Sequence, residues 1–402
     1  MATSMIKSFR KTMQPLLSII LLLSFLGGLI VNMQYVAWEL FALSAFGISM
    51  AVLGIISSLG ELAYCLMHPV TGRLSDKKGR RVILVLSSIF FILGSSLLAV
   101  SLNLILLIPA IVVFRMGSSL FDPGFYASVD ESNLIARRAR GFGVSFAMRL
   151  LGGVSAGILA GLIGSSLGYP ILFSVIGALS VFLLITVLAF NLQKNNLVKD
   201  RQASEADISP EQSEKDRKIR LRVYLTGAAD AFSWSIFYPI FSGMLNLYFN
   251  FSLLQIGFMT SLQLLVMFIM PPLFGMLSDK YGRKLTFLIS EVLGAFTIFG
   301  FMISTDFIQF LMLQIPMAAV GASFIVSIYP LLMDYASIKH KAEVIGWSTA
   351  IRGVIAFPAP LIGGLIFDSL GYQYTMLTSL LLVIITIIIM ILLLPGGKSV
   401  SN

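Results

Sequence analysis

Long apolar segments alternate with short polar segments along the whole chain. Twelve apolar segments are long enough to cross a hydrocarbon layer of about 30 Å as helices. These predicted spans, numbered 1 to 12 in chain order, cover approximately residues 15–36, 47–70, 82–102, 104–128, 141–165, 169–192, 223–246, 253–273, 285–303, 307–333, 344–367 and 371–395. The first segment is too long for a cleavable secretory signal, so we interpret it as span 1. The pattern predicts an all-α membrane protein.

Composition and charge support this prediction. Apolar residues make up 57% of the chain and charged residues 12%, whereas soluble proteins carry about 25% charged residues. Except for Arg115, Arg149 and Arg352, every lysine and arginine lies in a terminus or in a connection that follows an even-numbered span. The positive-inside rule therefore predicts a multi-pass protein of the plasma (inner) membrane with both termini in the cytoplasm. The net charge of +9 then indicates contact with membrane lipids rather than with nucleic acid.

A charged ten-residue motif occurs twice in the chain. Its first copy reads Gly72-Arg-Leu-Ser-Asp76-Lys-Lys-Gly79-Arg80-Arg81, and its second, 203 residues later, reads Gly275-Met-Leu-Ser-Asp279-Lys-Tyr-Gly282-Arg283-Lys284. The same offset relates Gly54 to Gly257, Gly143 to Gly346, Arg149 to Arg352 and Leu167-Gly-Tyr to Leu370-Gly-Tyr. One constant offset predicts two homologous, pseudo-symmetric six-helix bundles.

The polar segment between spans 6 and 7 divides the chain. We expect residues 1–192 to form the N-terminal bundle, 193–222 a cytoplasmic linker and 223–402 the C-terminal bundle. Inside the linker, Ser209-Pro210-Glu211-Gln212 has the pattern of a helix start, with proline at the first helical position. We therefore expect a short helix that runs into span 7.

Both copies of the motif resemble motif A of the major facilitator superfamily, which lies between helices 2 and 3 and between helices 8 and 9 of these transporters. The resemblance implies a gate in which an aspartate faces the positive end of a neighbouring helix and pairs with an arginine. In this chain it implies the gate residues Gly72, Asp76, Gly79, Arg80, Arg81, Gly275, Asp279, Gly282 and Arg283. Arg80 and Arg81 also fit a simple role as topology anchors.

Span 5 resembles the glycine-spaced motif of drug–proton antiporters, which reads G-x8-G-x3-G-P-x2-G-G. The matching positions are Gly143, Gly152, Ala156, Gly157, Ala160 and Gly161. The motif's proline is absent here, although the second half has Pro360 at the equivalent of Gly157. Small residues at these intervals allow close packing of two helices. The match favours an exporter, and close helix packing by itself is the simpler explanation.

Ionisable residues inside the spans are the candidate site. Each costs about 2.5–3.5 kcal/mol on insertion scales unless it faces a cavity or a partner. Substrate or proton handling is expected of residues without a charged counterpart at the 203 offset, which include Glu61, Arg115, Asp122 and Asp230. The equivalent pair Arg149 and Arg352 indicates a shared gate or scaffold, and the alternative is that both bind an anionic substrate. Internal salt bridges, such as Arg115 with Glu61 or Asp122, would explain the other charges structurally.

Helical spacing places the candidates on common faces. Asp122 shares one face of span 4 with Arg115, and Trp234 shares one face of span 7 with Asp230, where it can contact an apolar or cationic substrate. Glu291 in span 9 is interpreted as a residue near the cytoplasm that snorkels or pairs with a nearby basic residue. Tyr35, Trp38 and Tyr238 can also contact an apolar or cationic substrate. Tyr35 and Trp38 lie near the outer end of the span, so they are interpreted as aromatic residues of the outer membrane interface.

Together these features predict a proton-coupled secondary transporter that exports small amphipathic or cationic compounds by alternating access. Asp230 is the first choice for the proton-carrying carboxyl and Glu61 the second, with Arg115 tuning either. The alternatives are an importer or uniporter of a sugar or organic anion, and a non-transporting receptor or scaffold. We expect a monomer that is not an enzyme. One cysteine and two histidines predict no metal centre, and no nucleotide-binding motif predicts a cofactor.

Overall fold

A computed structural model describes residues 2–132, 138–189, 210–335 and 341–394, with side chains described outside 2–18, 76–77, 123–132, 138–143, 210–213, 215 and 341–343. These residues form fifteen α-helices. In chain order, α1 to α15 are Ala2–Phe46, Met50–Lys78, Arg80–Ala99, Leu104–Ser132, Arg138–Leu167, Tyr169–Ala189, Pro210–Ser235, Phe241–Phe249, Leu253–Ile269, Pro271–Tyr281, Arg283–Ile303, Phe307–Asp334, Lys341–Ala356, Ala359–Leu370 and Tyr372–Leu393. A one-turn 3-10 helix, Tyr238–Ile240, joins α7 to α8.

The predicted fold class is confirmed. Ten spans in the described residues are long and apolar enough to cross a membrane, and the bent pair of α9 and α10 makes an eleventh. The remaining predicted span, number 7, is divided between α7 and α8, so the order of twelve spans is kept. Large apolar side chains such as Leu93, Phe296 and Leu392 are exposed on the outside of the bundle, where lipid would cover them.

Three spans are broken where one continuous helix was predicted. Span 7 is interrupted at Pro239, span 8 bends by 46° at Pro271, and span 11 is interrupted at Pro358. Proline has no N–H to donate, and its ring clashes with the preceding turn of a helix. Apolar composition alone cannot reveal these breaks. At the linker, α7 begins at Pro210 as predicted, and residues 193–209 lie outside the described part of the chain.

The 203-residue repeat is also present in the local structure. Ser49 and Ser252 cap α2 and α9 with their side chains, through the N–H groups of the residues three positions on. Gly79 and Gly282 end α2 and α10 with φ angles of 86° and 89°, a conformation that favours glycine. Equivalent residues therefore terminate equivalent helices in the two halves.

The halves meet through several helix pairs, and two of these contacts are related to each other by the repeat. α2 packs against α14, and α9 packs against α5. In the first contact Gly54 faces the backbone oxygen of Pro360, and in the second Gly257 faces that of Gly157. Both contacts follow the capped starts of α2 and α9, so they lie toward the end of the bundle opposite the motif loops. Glycine is required there because a Cβ atom would clash with the facing backbone.

The small residues of α5 have two neighbours. Gly152 faces the backbone oxygen of Phe25 on α1, whereas Gly157 and Gly161 face Gly257 and Leu254 on α9. Ala156 between them is fully buried. The glycine-spaced pattern of span 5 therefore forms a closely packed seam. One part of this seam packs α5 against α1 of its own bundle, and the other part packs α5 against α9 of the other bundle.

We predict that Gly157→Leu destabilises the protein by about 1–3 kcal/mol, because the added side chain forces the two backbones apart. The measurement is the unfolding temperature in detergent, followed by tryptophan fluorescence. Gly346→Leu is the matched control, since a Cβ at this helical glycine has open space around it. Equal unfolding temperatures for the two variants would contradict the proposed role of the seam.

Candidate functional site

Two ion pairs lie inside the N-terminal bundle. Arg115 on α4 pairs with Glu61 on α2, and Arg149 on α5 pairs with Asp122 on α4, with 2.5 Å between Nη2 and Oδ1. Tyr64 connects them, because its hydroxyl donates to Asp122 Oδ2 at 2.7 Å and its ring centre lies 4.9 Å from the Arg115 guanidinium carbon. The four charges therefore form one neutral network across α2, α4 and α5.

Further polar contacts join α2 to α4. Ser119 on α4 donates to the backbone oxygen of Tyr64 at 2.7 Å, and its hydroxyl lies 3.0 Å from His68 Nδ1. These bonds place α2 and α4 in register beside the ion pairs.

The C-terminal bundle holds a different cluster. Arg352 on α13 donates to Asp230 on α7 with 3.0 Å between Nη2 and Oδ2, and Asp230 is only 2% exposed. Glu291 on α11 is fully buried, its carboxyl is a hydrogen-bonding neighbour of the Asp230 carboxyl, and its Oε2 accepts from Trp234 Nε1 at 3.4 Å. Its other oxygen has no donor in the described part of the chain. Two adjacent carboxyls are compatible with one guanidinium when they share one proton.

The interpretation of Glu291 as a snorkelling residue is therefore wrong. It points into the bundle, where its partners are Asp230 and Trp234. The close approach of the indole is possible because Gly294, on the same helix as Glu291, has no side chain. The repeat comparison did give a signal for Glu291, since its equivalent, Ser88, is uncharged.

Arg149 and Arg352, which the repeat relates, have equivalent aromatic partners and different acidic partners. Arg149 lies over the ring of Phe121 at 5.7 Å, and Arg352 lies over the ring of Phe324 at 4.4 Å. Phe121 and Phe324 are themselves related by the 203 offset. The acidic partners are not related, because one comes from α4 and the other from α7. Cation–π contact is thus the shared feature.

The charged motif residues lie at the end of the bundle opposite the glycine contacts, where they stabilise the turns between helices. Arg80 is the first residue of α3, and Arg81 donates to the backbone oxygen of Leu188 at 2.6 Å. Arg283 forms an ion pair with Asp334 and donates to the backbone oxygen of Pro330 at 2.5 Å.

Among the gate residues whose side chains are described, Asp279 and the motif glycines show no contact across the halves. Asp279 is exposed and has no hydrogen bond or ion pair with other described residues. A Cβ at Gly72 or Gly275 would have open space around it. The side chain of Asp76 lies outside the described part of the structure.

Two cavities lie between the bundles. The first contains the Glu61–Arg115 pair and is lined by Gln34, Tyr35, Trp38, Ser57, Gly60, Glu61, Ile111, Arg115 and Pro239. The second is mainly aromatic and aliphatic and is lined by Tyr35, Tyr238, Phe241, Ser242, Leu245, Ile256, Met259, Thr260, Gln263, Phe301, Gln314 and Met317. The interpretation of Tyr35 and Trp38 as interface residues is therefore wrong, because both line the interior.

A tyrosine pair separates the two cavities. Tyr35 and Tyr238 are related by the 203 offset, and both line the second cavity. Gln263 donates to the Tyr238 hydroxyl at 3.3 Å. Each cavity also takes one wall residue from the opposite bundle, Pro239 for the first and Tyr35 for the second. Ser57 fixes Pro239 by donating to its backbone oxygen at 3.1 Å.

Sequence reasoning missed two polar residues of α1. This helix continues to Phe46, ten residues past the predicted end of span 1, and so includes Glu39. Gln34 is buried and lines the first cavity, and its side-chain nitrogen has no hydrogen-bond partner among the described residues. The signal for Glu39 was present, because the chain remains apolar on both sides of this single acid up to Phe46.

Comparisons with known proteins agree with this architecture. The model of the Major Facilitator Superfamily matches residues 20–222 and again residues 223–401. Multidrug resistance protein MdtG of Enterobacter lignolyticus (strain SCF1) is 22% identical over 343 residues, which cover 82% of this chain and 79% of that protein.

Solved transporter structures share the fold at low sequence identity. A POT family transporter in complex with 5-aminolevulinic acid gives a TM-score of 0.74 at 14% identity, over 93% of this chain and 94% of that one. The nucleoside transporter NupG gives 0.73 at 13% identity, over 94% and 98%. A bacterial homolog of the human lysosomal transporter Spinster, inward-facing and unoccupied, gives 0.73 at 15% identity, over 95% and 96%. Two tandem matches that span nearly the whole chain show that this protein belongs to the Major Facilitator Superfamily.

Proposed function

We propose that this protein is a proton-coupled secondary transporter of the plasma membrane that exports small amphipathic or cationic compounds by alternating access. The supporting observation is the pair of cavities that meet at Tyr35. One contains an ion pair and the other is aromatic, so together they suit a molecule with a charged end and an apolar end. A transport role, rather than that of an enzyme or a receptor, also follows the family to which the chain belongs.

The first cavity suits a cationic group. The Glu61 side chain is 38% exposed despite its pairing with Arg115, so one side of the carboxylate can accept a second cation. The faces of Tyr35 and Trp38 line the same space, and aromatic faces attract cations. A relative that is named for multidrug resistance supports an exporter.

The contacts between the halves suggest which side is closed. The glycine contacts of α2 with α14 and of α9 with α5 lie toward the end opposite the motif loops. If the motif loops face the cytoplasm, as the distribution of basic residues predicts, the cavities are closed toward the outside. Rocking of the two bundles about the cavities would then expose them to either side in turn.

Proton coupling is assigned to the cluster around Asp230. Arg352 neutralises the carboxylate of Asp230. The neighbouring carboxyl of Glu291 is accommodated because it shares one proton with Asp230. Trp234 lies one turn beyond Asp230, and its ring centre is 5.8 Å from that of Phe237, which is 6.2 Å from Tyr238. This aromatic chain connects the acid cluster to the second cavity. Substrate binding at Tyr238 can therefore move the cluster and release its proton to water.

We predict that Asp230→Asn abolishes pH-gradient-driven transport and leaves expression intact. The measurement is accumulation of a fluorescent lipophilic cation, such as ethidium, in proteoliposomes with an imposed pH gradient. Glu291→Gln should have a similar effect because it removes the shared proton, and Glu61→Gln a smaller one. Glu214→Gln is the matched control, since Glu214 is exposed and pairs only with Lys218. If Asp230→Asn accumulates the substrate with a normal pH dependence, Asp230 has only a structural role, and Glu61 or Asp122 becomes the candidate for proton coupling.

We predict that the loops between spans 3 and 4 and between spans 9 and 10 face the outside. Single cysteines at positions 103 and 305, in a Cys65→Ser background, should react with an impermeant maleimide in intact cells. Cysteines within 193–222 should react only after the membrane is permeabilised. The reverse labelling pattern would invert the topology and, with it, the side toward which the cavities are closed.

We propose that the motif aspartates close the cytoplasmic side during the cycle. Asp279 is exposed to solvent and has no partner among the described residues, as is expected when that side is open. We predict that Asp76→Asn lowers the initial transport rate without loss of folded protein, and that Asp279→Asn has a milder effect. Rates equal to the wild type in both variants would show that the motif acts only in topology.

Import or uniport of a sugar or organic anion is the second candidate. Internal arginines favoured it, but each of Arg115, Arg149 and Arg352 already has a carboxylate partner. Peptide and nucleoside transporters share the fold at identities that carry no information on substrate. Saturable uptake of an anion or sugar by proteoliposomes without a pH gradient would favour this candidate over the exporter.

A further inference from the structure

Glu39 is an acid buried at a contact between the two bundles. It lies on α1, is 0% exposed, and its Oε2 accepts a hydrogen bond of 2.8 Å from the backbone nitrogen of Gly243. Gly243 is the third residue of α8 and belongs to the other half. None of the clusters described above includes this residue, and the assigned coupling cluster is in a different part of the bundle.

The second oxygen of Glu39 has no partner. Oε1 is buried and receives no hydrogen bond from the residues that the structure describes. Leu43 on α1 and Leu53 on α2 approach the same point beside Gly243. The titratable side chains that face Glu39 are the phenols of Tyr35 and Tyr238, and Tyr35 in turn faces Glu61 and Arg115. Glu39 forms no ion pair with any cation in the described ranges, so a carboxylate here would be buried without a counter-charge.

Asp368 provides a contrast within the same interface. It lies on α14 and accepts hydrogen bonds from the backbone nitrogens of Met50 and Ala51 at 3.0 and 2.8 Å. Both of its oxygens therefore have donors at the positive start of α2, and the residue is exposed to solvent. These two N–H groups stabilise negative charge at that position. Glu39 has one backbone donor and no cation among the described residues, and an isolated buried carboxylate is so unfavourable that it takes up a proton instead.

We propose that Glu39 is a second proton-binding site, formed where α1 meets α8 and separate from the Asp230 cluster. The site holds its proton while the halves are closed at this end. When they separate, water reaches the carboxyl, the O–H bond breaks and the proton passes to water. The closed form therefore binds one more proton than the open form. Low pH favours closure, and raising the pH favours opening, by up to about tenfold in the open-to-closed ratio per pH unit.

The test measures this opening directly. Spin labels are attached at Leu102→Cys in the first half and Thr305→Cys in the second, both at exposed positions of this end, in a Cys65→Ser background. Distances between the labels are measured by double electron–electron resonance in nanodiscs from pH 5 to pH 9. In the wild type we expect the longer-distance population to grow as the pH rises.

Glu39→Gln keeps an acceptor for the Gly243 N–H and cannot titrate, so it should stay closed and lose this pH response. Glu39→Met, of similar size and uncharged, should also lose it and serves if the glutamine variant does not fold. Asp368→Asn is the matched control, because it weakens the same interface at an exposed carboxyl that has donors for both oxygens. It should shift the populations equally at every pH. A pH response that survives unchanged in both Glu39 variants would overturn the proposal.

A direct readout of the proton separates this proposal from the coupling role of Asp230. Infrared difference spectra at neutral pH should show a carboxylic-acid C=O band that disappears in Glu39→Gln. In Asp230→Asn this band and the pH-dependent opening should both remain, even if transport is lost. If the band is unchanged by Glu39→Gln, the residue is not protonated and the proposal is wrong, whatever the result for Asp230.

Discussion

A charged side chain in a hydrocarbon layer requires a partner, and this requirement organises the interior of the protein. Arg115 joins α4 to α2, Arg149 joins α5 to α4, and Arg352 joins α13 to α7, each through a carboxylate. Removing one member of a buried pair typically costs about 3–5 kcal/mol, because the other charge is left uncompensated. The pairs therefore fix helix positions within each bundle as well as providing groups that can exchange protons or substrate.

The two halves have equivalent residues at positions that build the scaffold. They differ at the buried ionisable residues that can bind a proton or a substrate. Helix caps, the motif glycines, the seams at Gly54 and Gly257 and the rings over the two arginines are all related by the same offset. At the equivalent of Asp230 the first half has Gly27, and the ring of Phe121 occupies the space beside it. An aromatic ring thus fills in one half the place that a carboxylate takes in the other.

The sequence predicted the spans, the repeat and most of the ionisable residues because each leaves a strong local signal. Hydropathy detects helices that must satisfy their own backbone in lipid, and the constant offset identifies equivalent positions. It did not predict which acid pairs with which arginine, since helices distant in the chain decide that. Glu291 was misjudged because a helix at the periphery of the bundle can still direct one side chain inward. Glu39 was missed because span 1 was ended at residue 36, before this acid, and because its hydrogen bond comes from Gly243 in the other half.

The exchange of wall residues between the cavities has a mechanical consequence. Pro239 of the second bundle closes the cavity of the first, and Tyr35 of the first closes the cavity of the second. Any rotation that separates the bundles therefore removes a wall from both cavities in the same movement. A molecule that extends across both would lose its hold at its two ends simultaneously, so its departure is a single concerted event rather than two successive dissociations.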